Sequence, residues 1–380
     1  MSVRKNKNIL LGAVSTLSVL FAGVAKADYA LNMTKGVTPL SHEIYDLHML
    51  ILWVCVIIAA GVFAVMFWSI LNHRKSKGAV AAKFHHNTTA EFVWTIIPII
   101  ILVSMAFPAT KTLKHMEDVG DADMTIKVTG YQWKWHYDYV DEGFGFFSVL
   151  AADSNETRQL GSGKDPHEAE EYLRNVDKPI VVPVNKKIRF LTTAADVIHA
   201  WWVPDLGWKR DSIPGFINES WATITEPGIY RGQCAELCGK DHGFMPIVVK
   251  AVTEDEYYDW VGEMMVMADA GSADADREWA KDELMEKGEQ VYGTFCAACH
   301  QANGQGVPGA FPALAGSAIA TGPAGDHIDR VMNGKAGTAM AAFGAQLNDV
   351  DIAAVITYER NSWGNDTGDL VQPADIKAAR

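Results

Sequence analysis

The chain has 380 residues, enough for two or three domains, and carries a formal net charge of −13. That balance excludes a nucleic-acid partner, because gripping phosphates needs a basic surface; it suits a basic protein partner and plain solubility equally well. The apolar residues are unevenly spread, with three apolar runs in the first 110 residues and a remainder that reads as soluble.

Residues 1–27 open with Arg4, Lys5 and Lys7, continue through a small-residue apolar stretch and close on Ala25-Lys26-Ala27, which predicts a secretory signal peptide cleaved after Ala27. A two-helix transmembrane hairpin is expected over 28–115. Met49–Leu71 is 23 residues without a charge, long enough to span a bilayer, and a second span starts at Phe92 and extends toward Leu113. The loop between them carries Arg74, Lys75, Lys77 and Lys83 with no acid before Glu91, so it belongs in the cytoplasm. The soluble part then lies on the periplasmic or outer side of a bacterial inner (cell) membrane. Glu91, at the cytoplasmic mouth of the second span, reads either as a solvated boundary carboxylate or as a proton-entry group. Cys55, inside the first span, reads as inert packing.

Residues 120–265 predict a β domain. "MTIKV" alternates, and "GYQWKWHYDYV" continues it with Tyr131, Trp133, Trp135, Tyr137 and Tyr139, which period two puts on one sheet face. Asp141–Lys178 is polar and reads as an inserted surface loop. Two strands flank Asn185-Lys186-Lys187, and more short strands follow to Val252, the pattern of a sandwich or barrel. Thr253 and Glu256 form a capping box that starts a helix. "ADAGSADA" marks an acidic linker over 266–281. A small helical domain follows over 282–366, with Leu284, Gly288, Val291, Tyr292 and Phe295 on one helix face and a last helix capped by Asn348; a tail is expected over 367–380.

Two Cys, one His and one Met lie within twelve residues, Cys234–Met245. A disulfide is the default in an exported domain, but cysteines four apart strain a bridge across so short a loop. Two thiolates with an imidazole and a thioether form a soft-to-borderline donor set. It selects copper over magnesium or calcium, and the thioether argues against zinc. His199 in "ADVIHAWWVPDLG", 35 residues before Cys234, offers a second imidazole.

"DVIHAWWVP" followed by "GQCAELCGKDHGFMPIVV" closely resembles the binuclear copper (CuA) domain of cytochrome c oxidase subunit II. The resemblance implies a cupredoxin-like β-sandwich with His199, Cys234, Cys238, His242 and Met245 as ligands on two end loops, Glu236 ligating through its backbone carbonyl, and both thiolates bridging the coppers. It further implies that the Glu236 carboxylate reaches a magnesium at the interface with subunit I. The hairpin with "EFVWTIIPIIIL" is similar to the same subunit, in which the residue at Glu91 serves a proton pathway. "GYQWKWHYDY" resembles its aromatic segment, making Trp133 the tryptophan at which electrons enter, and Asp196 is similar to an acidic donor-docking residue. These motifs span Asp46 to Val252. Trp201 and Trp202 read as packing, and His85, His86, His115 and His136 as solvated or structural.

Cys296-Ala297-Ala298-Cys299-His300 is a C-x-x-C-H attachment motif for c-type haem; no βαβ pattern suggests a thioredoxin-like pair and no second C-x-x-C suggests zinc. The two thiols would bond the haem and His300 would ligate the iron. "RVMNGKAGTAMAAFG" resembles the methionine loop of class I cytochromes c, which implies Met340 as the other axial ligand and leaves Met332 as packing. Where many relatives have Pro after this Met, the chain has Ala341. Pro312 is the candidate carbonyl for orienting His300.

Together the resemblances imply a multidomain membrane protein: a transmembrane hairpin, a cupredoxin-like β-sandwich and a C-terminal all-α cytochrome c domain. They imply subunit II of a caa3-type haem–copper oxidase. Electrons accepted at haem c would pass through CuA to haem a of subunit I, which with haem a3–CuB reduces oxygen to water and moves protons. The implied partners are subunits I and III and a donor such as a cytochrome c. Two other classes stand beside this reading. One is a membrane-anchored electron carrier or copper-binding protein that works alone; the other is a quinol oxidase subunit II, which shares the hairpin and sandwich but lacks the copper ligands present here.

Overall fold

The computed structural model describes residues 32–380 apart from 81, 82, 84, 160, 275 and 345, and of 268–273 the backbone alone. The signal peptide expected over 1–27 lies outside the described residues.

Among the described residues two long apolar helices come first, α1 (Pro39–Asn72) and α2 (Thr88–Met116). The Thr38 hydroxyl accepts from Ser41 N at 2.9 Å and the Ser41 hydroxyl from Thr38 N at 3.0 Å, which satisfies free amides at the start of α1. Asn87 does the same for α2 through Ala90 N at 3.1 Å. Both helices are long and apolar enough to cross a membrane, and the most apolar stretch of each is unburied by protein. They outrun the apolar spans because their outer ends belong to the sandwich. Thr38 Oγ1 donates to the Leu206 carbonyl at 3.1 Å, and Trp221 Nε1 donates to the His115 carbonyl at 3.1 Å. His115 Nδ1 also lies 3.2 Å from Glu43, joining the two helices.

The β domain comprises β1 (Met124–Tyr131), β2 (Lys134–Tyr139), β3 (Phe144–Ser148), a short helix α3 (Ala152–Thr157), β4 (Ile180–Pro183), β5 (Lys187–Ala194), β6 (His199–Val203), β7 (Trp208–Ser212), β8 (Asn218–Thr223), β9 (Gly228–Gln233) and β10 (Pro246–Val252). The strand orders are β3-β2-β1-β5-β8, β4-β10-β9 and β6-β7. Ile126, Val128, Trp135, Tyr137, Phe190, Trp201, Ile247 and Val249 form a core shared by these sheets. This is the cupredoxin-like sandwich.

The aromatic segment is not one strand. It folds back between β1 and β2, with Tyr131 paired to Lys134, so Gln132 and Trp133 form the turn. Only Trp135, Tyr137 and Tyr139 share the buried face. No Gly or Pro marks this turn, and alternation runs through it unbroken. The segment expected as a surface loop, 141–178, supplies edge strand β3, bonded along β2, and helix α3.

Thr253 starts α4 (Glu254–Asp274) by accepting from Glu256 N at 3.4 Å while Glu256 accepts from Thr253 N at 2.9 Å. The linker expected from 266 is therefore helix as far as Asp274, since its alanine-rich sequence continues α4. Then come α5 (Lys281–Phe295), α6 (Ala297–His300), α7 (Ala318–Thr321), α8 (Ala324–Asn333), α9 (Asp349–Asn361) and α10 (Pro373–Ala379). α5 crosses α9 at Gly288, where a Cβ would sit 2.2 Å from the Ala354 carbonyl, so only Gly admits this approach. The residues expected as a tail are part of this unit: Val371 and Ile376 are buried in its core, because they cover apolar surface that the preceding helices leave open.

Candidate metal centre and haem site

Two loops at one end of the sandwich converge. The Cys234 amide donates to the Met245 carbonyl at 3.1 Å, closing the loop between β9 and β10, and the Ala235 amide donates to the Ala200 carbonyl at 3.0 Å, tying that loop to β6. Gly130 makes room for the buried His199, whose ring would lie 2.7 Å from any Cβ there.

The donors gather tightly. Cys234 Sγ and Cys238 Sγ are 3.8 Å apart; His199 Nδ1 lies 3.9 Å from the first and His242 Nδ1 3.5 Å from the second. Met245 Sδ is 4.0 Å from Cys238 Sγ, and the Glu236 carbonyl oxygen is 3.4 Å from Cys234 Sγ. The ligand atoms of His199, Cys234 and Cys238 all lie within 4.8 Å of one another, and all three residues are buried. Contact with the Cys238 thiol holds the Cys234 thiol well below its usual range, helped by His199 and by backbone groups; the same contact, with burial, drives Cys238 upward. A bound cation would offset the charge that two neighbouring thiolates carry. His199, Cys234 and Cys238, with the imidazole of His242, the thioether of Met245 and the Glu236 carbonyl each within 4.0 Å of a cysteine sulfur, fit a binuclear copper centre.

The surroundings orient this set. Asp196 Oδ1 lies 2.9 Å from His199 Nε2, and Oδ2 accepts from Gln132 N at 2.7 Å. The carboxylate thus orients His199, leaving Nδ1 toward the sulfurs, while Asp196 itself stays exposed. Burial opposes a charge on His199, but Asp196 and Cys234 outweigh it and raise its pKa. Trp133 Nε1 donates to the Cys238 carbonyl at 3.1 Å. Trp135 meets the His199 ring edge-on at 5.8 Å. Trp201 is buried in the core while Trp202 is exposed.

In the helical segment, Cys296 follows α5 directly, and Cys299 and His300 lie on α6. Both thiols are free, and burial raises the pKa of each. His300 Nδ1 is 2.8 Å from the Pro312 carbonyl, which fixes the ring and leaves Nε2 for a metal. Met332 is buried in the core, whereas Met340 lies on the loop after α8 and, partly buried, packs against that core. Two unpaired thiols, an oriented imidazole, a thioether and an apolar wall fit covalent haem c.

Two predicted groups stand apart. Glu91, in the first turn of α2, accepts from Asn87 N at 3.3 Å. Glu236 is exposed, while its carbonyl approaches the Cys234 sulfur.

Two residues carried little or no sequence signal of their role. Arg158, just after α3, reaches Asp241 at 3.3 Å and lies 4.3 Å from the Phe244 ring, bracing the loop that carries His242 and Met245. Lys134 is buried between the sandwich and the helical segment, and the only hint was a charged residue between two tryptophans.

Three family models match the chain: "Cytochrome C oxidase subunit II, transmembrane domain" over residues 26–112, "Cytochrome C oxidase subunit II, periplasmic domain" over 124–252, and "Cytochrome C oxidase, cbb3-type, subunit III" over 283–358. The chain is 38% identical over 272 residues to the probable cytochrome c oxidase subunit 2 of Rickettsia bellii, covering 71% of this chain and 97% of that one. It is 36% identical to cytochrome c oxidase subunit 2 of Cereibacter sphaeroides over 232 residues, covering 59% and 77%. A solved periplasmic domain of subunit II of cytochrome oxidase from Bradyrhizobium japonicum is 44% identical, covering 38% of this chain and 95% of that one, with a TM-score of 0.34.

Proposed function

Because the chain belongs to the cytochrome c oxidase subunit II family, and so is a component of that oxidase complex, we propose that it is the electron-input subunit of a cytochrome c-fused, caa3-type enzyme. In this reading an electron from a donor such as a cytochrome c is accepted at covalent haem c and handed through CuA to haem a of subunit I, where oxygen is reduced and protons are moved. The observation that carries the reading is the convergence of His199, Cys234, Cys238, His242 and Met245 in a chain that also holds a free C-x-x-C-H motif with an oriented histidine.

His199, Cys234, Cys238, His242, Met245 and the Glu236 carbonyl would hold two coppers, which would supply one-electron transfer there. Cys296 and Cys299 would bond the haem, and His300 and Met340 would ligate its iron, a pair that raises the potential. Trp133, joined to Cys238, is the proposed point of electron input to the copper pair. Asp196 holds His199 in place, and its docking role would follow only for a carboxylate edge left free. The exposed Glu236 carboxylate is available for magnesium at the subunit I interface, and Glu91 for a proton path on the cytoplasmic side. The proposed setting is a bacterial inner membrane with subunits I and III. Tethering the donor domain to the acceptor replaces one diffusional encounter by a high local concentration.

The test is His300→Ala. Pyridine haemochrome should show loss of covalent haem while the near-infrared copper band persists. Loss of both signals would count against two separate centres, and failure of a haem-containing multi-span partner to co-purify from membranes would sink the oxidase assignment.

A further inference from the structure

Lys134 opens β2 and is 5% exposed, an unusual position for an ammonium. What surrounds its Nζ is aromatic: the ring centroids of Phe295, Phe147, Phe343 and Tyr131 lie at 4.2, 5.1, 5.2 and 6.0 Å. Tyr131 and Phe147 belong to the sandwich, Phe295 and Phe343 to the helical segment, so the cage is complete only when the two are together. Phe147 and Phe295 also meet edge to face at 5.4 Å. Phe295 directly precedes Cys296, and Phe343 comes three residues after Met340. The helical half of the cage is thus built from chain on both sides of the haem site. On the sandwich side, Lys134 is flanked by Trp133, bonded to the Cys238 carbonyl, and by Trp135, packed against His199.

A buried ammonium is a poor adhesive, because losing water costs it more than an apolar side chain would lose. It does impose a geometric demand. Ring faces offset part of the lost hydration, and a slipped pose would leave the charge buried against nothing. We propose that Lys134 is the positioning residue that fixes the register of the haem-binding segment on the copper sandwich, so that the chain beside Cys296 faces Trp133. This rests on the reading that the two centres exchange electrons within one chain.

The experiment uses the full-length protein purified with its oxidase partners. Lys134→Met keeps the stem and removes the charge. Its haem and copper bands should be unchanged, while backbone hydrogen exchange across residues 292–299 quickens about tenfold as the docked state opens. Photoinitiated transfer from haem to copper should slow by about tenfold and become multiphasic as poses mix. Lys134→Arg keeps a cation for the ring faces and should restore a single phase. Phe343→Leu, a milder change that tests the same cage should Lys134→Met not assemble, should show the same losses, and adding Lys134→Met to it should cost less than about threefold more, since both remove one contact. Parent-like exchange and single-phase transfer in Lys134→Met would overturn the proposal, and so would Met and Arg variants that behave alike. A parent protein without haem or copper bands would instead defeat the electron-input reading, with the exchange measurement still testing the register.

Discussion

The indole Nε1 of Trp133 donates to the backbone carbonyl of Cys238 over 3.1 Å. A half-buried ring is thereby bonded directly to a residue of the sulfur cluster. Trp133→Phe keeps an aromatic ring and removes the bond. It should lower stability by about 0.5–1.5 kcal/mol and slow copper reduction while leaving the near-infrared band in place. Stopped-flow reduction checks this, and an unchanged rate would remove Trp133 from the path.

Asp196 fixes His199 through Nε2 at 2.9 Å. Asp196→Ala frees the imidazole to rotate, and metal affinity should fall by about 10–100-fold, as for other carboxylates that orient a ligating histidine. Copper retained during dialysis against a graded chelator is the measurement. Parent-like retention would leave the carboxylate without an orienting role.

Arg158 and Asp241 are both largely buried, at 15% and 5% side-chain exposure, and Arg158 also covers Phe244. Arg158→Gln should destabilise the copper domain by about 1–3 kcal/mol, because it leaves a buried carboxylate with one partner fewer. The broadening of copper resonances should be confined to signals from His242 and Met245. A denaturation midpoint equal to that of the parent would contradict this account of the insertion.

Val371 and Ile376 are buried in the helical core although they follow the last long helix. Ending the chain after Asp366 removes both, and each buried aliphatic side chain contributes about 1.5–3 kcal/mol. Haem attachment to the shortened protein should drop sharply, while copper uptake persists. Full haem content in that variant would show that this segment is dispensable.

The Arg360 guanidinium, itself buried, holds the Asp369 carboxyl below its ordinary range. The folded value lies below the unfolded one, so the stabilisation is complete above the usual carboxylate pKa of about 3.9. It disappears as pH falls through the lower folded value. Asp369 is 44% exposed, so solvent screening limits the effect to under about 1 kcal/mol. Asp369→Asn should flatten the acid limb of a stability–pH curve below about pH 4. A limb as steep as that of the parent would place the titration elsewhere.

Much of the architecture was legible from short-range pattern. Long apolar runs, capping residues such as Thr253 and Asn348, and clustered donors over Cys234–Met245 act through neighbours a few residues away, so the chain displays them in order. Spacing alone could also suggest that Cys296 and Cys299 differ in purpose from Cys234 and Cys238. Tertiary structure decided what depends on distant partners. It turned the chain at Gln132–Trp133 without Gly or Pro, because β1 and β2 pair across that point. It joined Asp196 to His199 and Arg158 to Asp241, and it buried Ile376 under helices that leave apolar surface uncovered. In the cage, Lys134 meets Phe343, 209 positions away. No local period encodes such a contact; it exists only once burial of two separately folded surfaces brings four rings to one ammonium.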